Sequence, residues 1–169
     1  MVIETVISRE ETIVVGIGEM RVAKFPTPMI ACIGLGSCIA VCAYDRTTKI
    51  GGVVHVVLPS SNGKETDRTP KYADVAVPLL LSEISRLGGY MSRTVIKIAG
   101  GAQMSLAAGQ NDAFKTGERN VAGVMEALGK MNMSVSSADT GGHKGRTVHM
   151  YLDTGRITVR TVGGEGREI

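Results

Sequence analysis

A cysteine behind a glycine-rich turn is the residue of this chain best placed for covalent chemistry. Cys38 follows Gly34-Leu35-Gly36-Ser37 and opens the apolar run Ile39-Ala40-Val41. Two glycines and a serine ahead of a thiol are typical of a tight turn that leaves the sulfur at the start of a strand, with backbone N–H groups free around it. Nucleophiles are commonly presented in this way, so Cys38 is the candidate nucleophile.

A histidine seventeen positions later is the candidate base. His55 lies in the run Val53-Val54-His55-Val56-Val57, which is typical of a buried strand, as is the run after Cys38. The polar segment 45–49 between the two runs predicts a turn, so the strands should pair and could bring the thiol and the imidazole together. From spacing alone, a buried thiol and a hydrogen-bonded core histidine remain the alternative. The turn before Cys38 favours the catalytic interpretation.

Three cysteines and a histidine within 24 residues also suggest a metal site, but their spacing argues against one. No C-x-x-C pair is present, and Cys38 and Cys42 would lie about 13 Å apart on one face of a strand. We therefore predict no metal and interpret Cys42 as a small core residue. A phosphate-binding loop is disfavoured as well, because no Lys-Ser/Thr pair follows the second glycine, and we predict no cofactor.

Length and composition predict one soluble domain over residues 1–169. The chain is 43% hydrophobic and 21% charged, and its 19 basic and 16 acidic residues are scattered, which disfavours nucleic-acid binding. Residues 1–12 lack the basic start and apolar centre of a signal peptide, and no apolar run approaches the roughly 20 residues of a membrane span. We expect a cytoplasmic protein that does not insert into membranes and keeps its three cysteines free.

The hydrophobic periodicity predicts an α+β fold, a mostly antiparallel layered β-sheet with two or three helices packed on it. Pro78 lies inside the first predicted helix, and segment 104–115 has no clear pattern. The predicted strands are 12–17, 29–33, the runs around Cys38 and His55, 95–99, 133–138, and a hairpin of 148–152 with 157–162 closed at 153–155; the predicted helices are 72–87 and 121–131, and 139–142 is predicted as a glycine turn.

Further blocks of the sequence, taken in order, resemble one known family. They are Val15-Gly16-Ile17-Gly18-Glu19-Met20, Lys71-Tyr72-Ala73-Asp74, Lys97-Ile98-Ala99-Gly100-Gly101-Ala102-Gln103-Met104, Gly117-Glu118-Arg119-Asn120-Val121, and Asp139-Thr140-Gly141-Gly142 through Gly145-Arg146. Together with the Cys38 turn and His55, they resemble the chemoreceptor glutamine deamidase family, CheD, over roughly 14–165.

The resemblance implies a hydrolase that converts specific glutamine side chains to glutamate and ammonia. The substrates would be methyl-accepting chemotaxis receptors, modified in their cytoplasmic helical bundle, and a CheC phosphatase would be a possible partner. Cys38 would be the nucleophile of a thioester mechanism and His55 its base, with backbone N–H groups of the Gly36-Ser37-Cys38 turn binding the oxyanion. The family's threonine, which holds the histidine, is replaced here by Cys32, and a thiol is a poorer hydrogen-bond partner than a hydroxyl.

Two other classes of function stay open at this point. The chain could be a non-catalytic module that regulates a CheC-type response-regulator phosphatase, since Cys32 replaces the threonine. It could also be a related cysteine hydrolase with another target, such as a receptor methylesterase or a small-amide hydrolase.

Overall fold

The computed structural model describes residues 12–64, 68–104 and 115–169. Within these residues the chain forms ten strands and two helices, and a single 3₁₀ turn (Met91–Arg93) precedes the sixth strand. The elements are β1 (Thr12–Val15), β2 (Met20–Lys24), β3 (Met29–Leu35), β4 (Ile39–Asp45), β5 (Ile50–Val56), α1 (Ala73–Arg86), β6 (Thr94–Gly100), α2 (Thr116–Lys130), β7 (Val135–Thr140), β8 (Arg146–Tyr151), β9 (Ile157–Thr161) and β10 (Gly166–Glu168).

The strands form two five-stranded sheets that pack face to face. The helix-covered sheet has the order β2-β5-β4-β6-β7, and both helices lie on its far side; the outer sheet has the order β1-β3-β8-β9-β10. Only the pairs β1–β3 and β6–β7 are parallel among the strands described. The predicted α+β class, with mostly antiparallel layers, is therefore confirmed.

The two strands β4 and β5 of the helix-covered sheet are buried on both faces, which explains their unbroken apolar runs in the sequence. In β4, Ile39 and Val41 pack under the helices, whereas Ala40 and Cys42 pack against the outer sheet. Successive side chains of a strand point to opposite faces, so a strand covered on both sides must be apolar throughout. All residues of β4 and β5 are buried.

Several predicted boundaries differ from the structure. Asp139 and Thr140 belong to β7, because this strand continues alongside β6, and the turn falls on the next two glycines, both with positive φ. Helix α2 begins at Thr116, five residues before the first apolar position of its pattern. Pro78 is the sixth residue of α1, and the predicted hairpin of β8 with β9 is confirmed. Most of segment 104–115 lies outside the described residues.

Neither helix in the described part of the chain is long and apolar enough to cross a membrane.

A buried carboxylate fixes the far end of β4. Asp45 accepts hydrogen bonds from the Arg93 side chain (2.9 and 3.2 Å) and from the N–H groups of Tyr90 and Thr47 (3.0 Å each). Burial alone would raise the pKa of this carboxyl, but the hydrogen bonds outweigh it and hold the pKa far below its ordinary value of 3.8.

We expect the Asp45 contacts to stabilise the fold above about pH 4 and to be lost as the pH falls further. A depressed carboxyl pKa means that protons bind the unfolded chain more readily, so acid favours unfolding. Asp45→Asn should lower the free energy of unfolding at pH 7 and make it less dependent on pH between about 4 and 2. Urea titrations at several pH values measure this.

The exposed Asp153, changed to Asn, is the matched control and should leave the acid dependence as in the wild type. An unchanged acid dependence in Asp45→Asn would contradict the assignment.

Candidate active site

The turn before Cys38 is held in place by the backbone that follows β6. The carbonyl of Gly36 accepts a hydrogen bond from the N–H of Ala102, and the carbonyl of Cys38 accepts one from the N–H of Gly101, both at 2.9 Å. This close approach depends on Gly100, whose φ is +117° and where an added Cβ would lie 2.1 Å from the Cys38 oxygen. The start of β4 and the end of β6 can therefore approach each other at Cys38 only because position 100 has no side chain.

The N–H groups of the turn are left available. In a trans peptide the C=O and N–H point in opposite directions. Because the Gly36 carbonyl points towards the N–H of Ala102, the N–H of Ser37 points away from Ala102. Within residues 12–64, 68–104 and 115–169, no other residue accepts a hydrogen bond from the N–H of Ser37 or of Cys38. Two backbone donors beside a thiol can stabilise negative charge on a carbonyl oxygen under attack.

His55 lies on β5, on the face that contacts the outer sheet. The antiparallel register places it opposite Ala40, two residues after Cys38, so Cys38 lies at the same end and on the same face of the strand pair. The imidazole is completely buried, and its Nδ1 lies 3.5 Å from the Sγ of Cys32 on β3 of the outer sheet. Its Nε2 is buried without a hydrogen-bond partner in the described structure.

The structure thus gathers the five residues named from the sequence at one place. Cys32 contacts His55 directly, while Gly36, Ser37 and Cys38 form the neighbouring turn; no hydrogen bond joins Cys38 to His55 in the described part of the chain. Cys38 is half-buried, whereas Cys32 and His55 are completely buried.

Burial favours the uncharged forms of all three groups. It raises the pKa of the Cys38 thiol above its ordinary 9.0, although the residue's own N–H lowers it in part. Burial also lowers the pKa of His55 below its ordinary 6.5, and burial together with the charge of Cys38 raises the pKa of Cys32 to about 12. At neutral pH the site therefore holds a thiol and a neutral imidazole, which suits proton transfer during attack.

An open, largely apolar cleft of about 460 Å³ borders the Cys38 turn. One side is formed by residues 34–36, and the rest by Met104, the segment 143–145 and Val162. The residues Met104 and Val162 are 56% and 68% exposed. A protein segment could reach the turn along this cleft.

Asn120 on α2 is a residue of the site that the sequence analysis did not single out as functional. It is completely buried, and its Nδ2 donates to the carbonyls of Ser37 and Val57, each at 2.9 Å. Its position carried a signal, because 120, 124, 127 and 128 form the buried stripe of α2 and Asn120 is the only polar member. A polar residue on an apolar helix face needs a partner, and here one partner is the turn before Cys38.

The described residues contain no group of three or more His, Cys, Asp or Glu side chains arranged to hold a metal ion. Cys42 is fully buried between the sheets.

Comparison with known proteins gives one consistent result. The model of the CheD family, described as chemotactic sensory transduction, matches residues 57–161. The chain is 44% identical over 151 residues to the chemoreceptor glutamine deamidase CheD of Thermotoga maritima, covering 89% of this chain and 92% of that protein. It is 41% identical to probable chemoreceptor glutamine deamidases of Symbiobacterium thermophilum, over 92% and 95% of the two chains, and of Methanococcus vannielii, over 92% and 97%.

The raised pKa of Cys38 can be tested in the absence of substrate. Because burial disfavours the thiolate, the rate of Cys38 alkylation by iodoacetamide should rise with pH, with a midpoint above 9.0. Peptide mass spectrometry can follow Cys38 separately from the two buried thiols. A midpoint near or below neutral pH would show a preformed thiolate–imidazolium pair instead.

Proposed function

The chain belongs to the CheD family, and from this premise we propose that it is an enzyme that hydrolyses glutamine side-chain amides of chemoreceptors to glutamate and ammonia. The observation that carries the mechanism is the placement of His55, with Nδ1 against Cys32, Nε2 unpaired, and the Cys38 turn at the same end of its strand pair. A nucleophile, a base and a residue that orients the base are the components of cysteine-dependent amide hydrolysis.

In the first half of the reaction the thiol adds to the amide carbon. Nε2 of His55 takes the Sγ proton as the new C–S bond forms, and the carbonyl oxygen becomes an oxyanion. The N–H groups of Ser37 and Cys38 bind this oxyanion, each contributing on the order of 3 kcal/mol to lowering the barrier. When the C–N bond breaks, the imidazolium returns its proton to the leaving nitrogen, and ammonia departs from a thioester.

In the second half, water replaces the thiol. His55 takes a proton from the water as it attacks the thioester carbon, and the C–S bond breaks when the intermediate collapses. The thiol recovers its proton and glutamate is released. His55 must carry hydrogen on Nδ1 throughout, so that Nε2 can accept; the Sγ of Cys32, 3.5 Å away, is then the acceptor that holds this tautomer.

The open cleft beside the turn supports a protein substrate. The cleft is lined by Gly34, Leu35 and Gly36 of the turn that carries Cys38, so a glutamine on a receptor helix would approach Cys38 along it, while His55 and Cys32 stay buried. Since the receptor segment concerned is the cytoplasmic helical bundle, this proposal places the protein in the cytoplasm. A CheC-type phosphatase would act as a partner by occupying the same face, and its binding should then slow deamidation.

The first test is removal of the nucleophile. Cys38→Ala should abolish deamidation of a recombinant receptor cytoplasmic fragment, because no other group at the turn can form the thioester. Mass spectrometry detects conversion of each glutamine amide to the acid. The matched control is Cys42→Ala, which removes a thiol from the core four residues away and should keep the wild-type rate.

Deamidation by Cys38→Ala at the wild-type rate would overturn the mechanism. A wild-type protein that leaves its cognate receptor unchanged would instead favour the regulatory binding module. Release of methanol from a methylated receptor, without deamidation, would identify a methylesterase.

The second test concerns the residue that orients His55. Cys32→Thr supplies a hydroxyl, a better acceptor than a thiol, so kcat should equal or exceed that of the wild type. Cys32→Val has the same shape as threonine without the oxygen and should lower kcat by up to about 100-fold, with little change in KM. Equal rates for Thr and Val variants would show that position 32 does not orient the base.

A further inference from the structure

We propose that Asn120 is a positioning residue of the active site, which fixes the direction of the Cys38 N–H by holding the carbonyl of the same peptide unit. This inference rests on the proposed function, since it assigns that N–H to the oxyanion. Asn120 itself touches no reacting atom and acts through the backbone of the turn.

The two hydrogens of one amide nitrogen connect the two halves of the site. One binds the carbonyl of Ser37, directly before the nucleophile, and the other binds the carbonyl of Val57, two residues after His55. Both hydrogen bonds are 2.9 Å long, and the side chain is fully buried. Asn120 therefore joins the end of β5 to the turn before β4 from a third element, α2.

The Ser37–Cys38 peptide is where this contact acts. The Ser37 oxygen and the Cys38 hydrogen belong to one planar trans unit and point in opposite directions. Holding the oxygen towards α2 therefore turns the N–H away from α2. The Cys38 N–H also lowers the pKa of its own thiol in part, against the effect of burial. Since no described residue accepts a hydrogen bond from this N–H, it remains available to an oxyanion formed at the thiol.

The remaining atom of the amide argues against a role in packing alone. Oδ1 of Asn120 is buried and has no hydrogen-bond partner in the described structure. A buried, unsatisfied amide oxygen is destabilising, and the other members of the buried stripe, Val124, Ala127 and Leu128, are apolar. An apolar residue at 120 would remove the unsatisfied oxygen but also both donated hydrogen bonds, so the donor nitrogen is what the site requires.

The decisive variant is Asn120→Leu, which keeps the branching at Cγ and has no donor. With the peptide free to rotate, kcat for deamidation should fall about 10- to 100-fold. Displacing an oxyanion donor costs only part of the transition-state stabilisation that removing the donor would cost. KM should change little, since the cleft is intact. The midpoint of Cys38 alkylation should also move to higher pH, because the N–H no longer faces the thiolate.

Val124→Ala is the matched control, one turn further along the buried stripe of α2. It should lower the melting temperature while leaving kcat and the alkylation midpoint as in the wild type. If Asn120→Leu does not fold, Asn120→Ser serves in its place, since serine is small and can bind only one of the two carbonyls at a time.

Unchanged kcat and an unchanged alkylation midpoint in a folded Asn120 variant would overturn the inference. Equal changes in Val124→Ala would do the same, because they would reflect loose packing of α2. The alkylation midpoint is measured without receptor: if it shifts in Asn120→Leu while the wild type shows no deamidation, the positioning role stands and the proposed function fails.

Discussion

The antiparallel pairing of β4 with β5 is the constraint on which the site depends. It places His55 opposite Ala40 and so puts the imidazole at the same end, and on the same face, as Cys38. Both strands are buried on both faces: one face of each strand lies under the helices, and the opposite face packs against the outer sheet. A slip of one residue would turn His55 towards the helices and exchange two sets of core side chains, so the two hydrophobic cores together fix the register.

Burial then determines the chemistry that this geometry can perform. A fully exposed thiol and imidazole would exchange protons with water, whereas here the low polarity of the surroundings keeps both uncharged. In the proposed mechanism, negative charge forms only when a carbonyl oxygen is present to carry it, next to the two backbone donors of the turn. The same burial leaves Nε2 of His55 without a partner in the described structure, ready to accept a proton.

The sequence predicted the parts of the site that rest on local signals. The turn before Cys38 is recognised by its glycines and the strands by their apolar runs, and the predicted pairing of β4 with β5 is confirmed. The edge strands β2 and β10 were not predicted, because they are short, carry charged residues and owe their conformation to their neighbours. The two carbonyls that bind Asn120 lie 83 and 63 residues earlier in the chain, beyond any local pattern.

The absence of a side chain at Gly100 makes the geometry of the Cys38 turn depend on a residue of another strand, β6. Because β6 touches the backbone of Cys38 there, an alanine at position 100 would press on the carbonyl of Cys38, although the two positions are 62 residues apart in the sequence. A geneticist who selected for loss of chemotaxis could therefore recover changes in this strand that leave every reactive group in place. Such a strain would lose the activity while Cys38, His55 and Cys32 are all unchanged in its sequence.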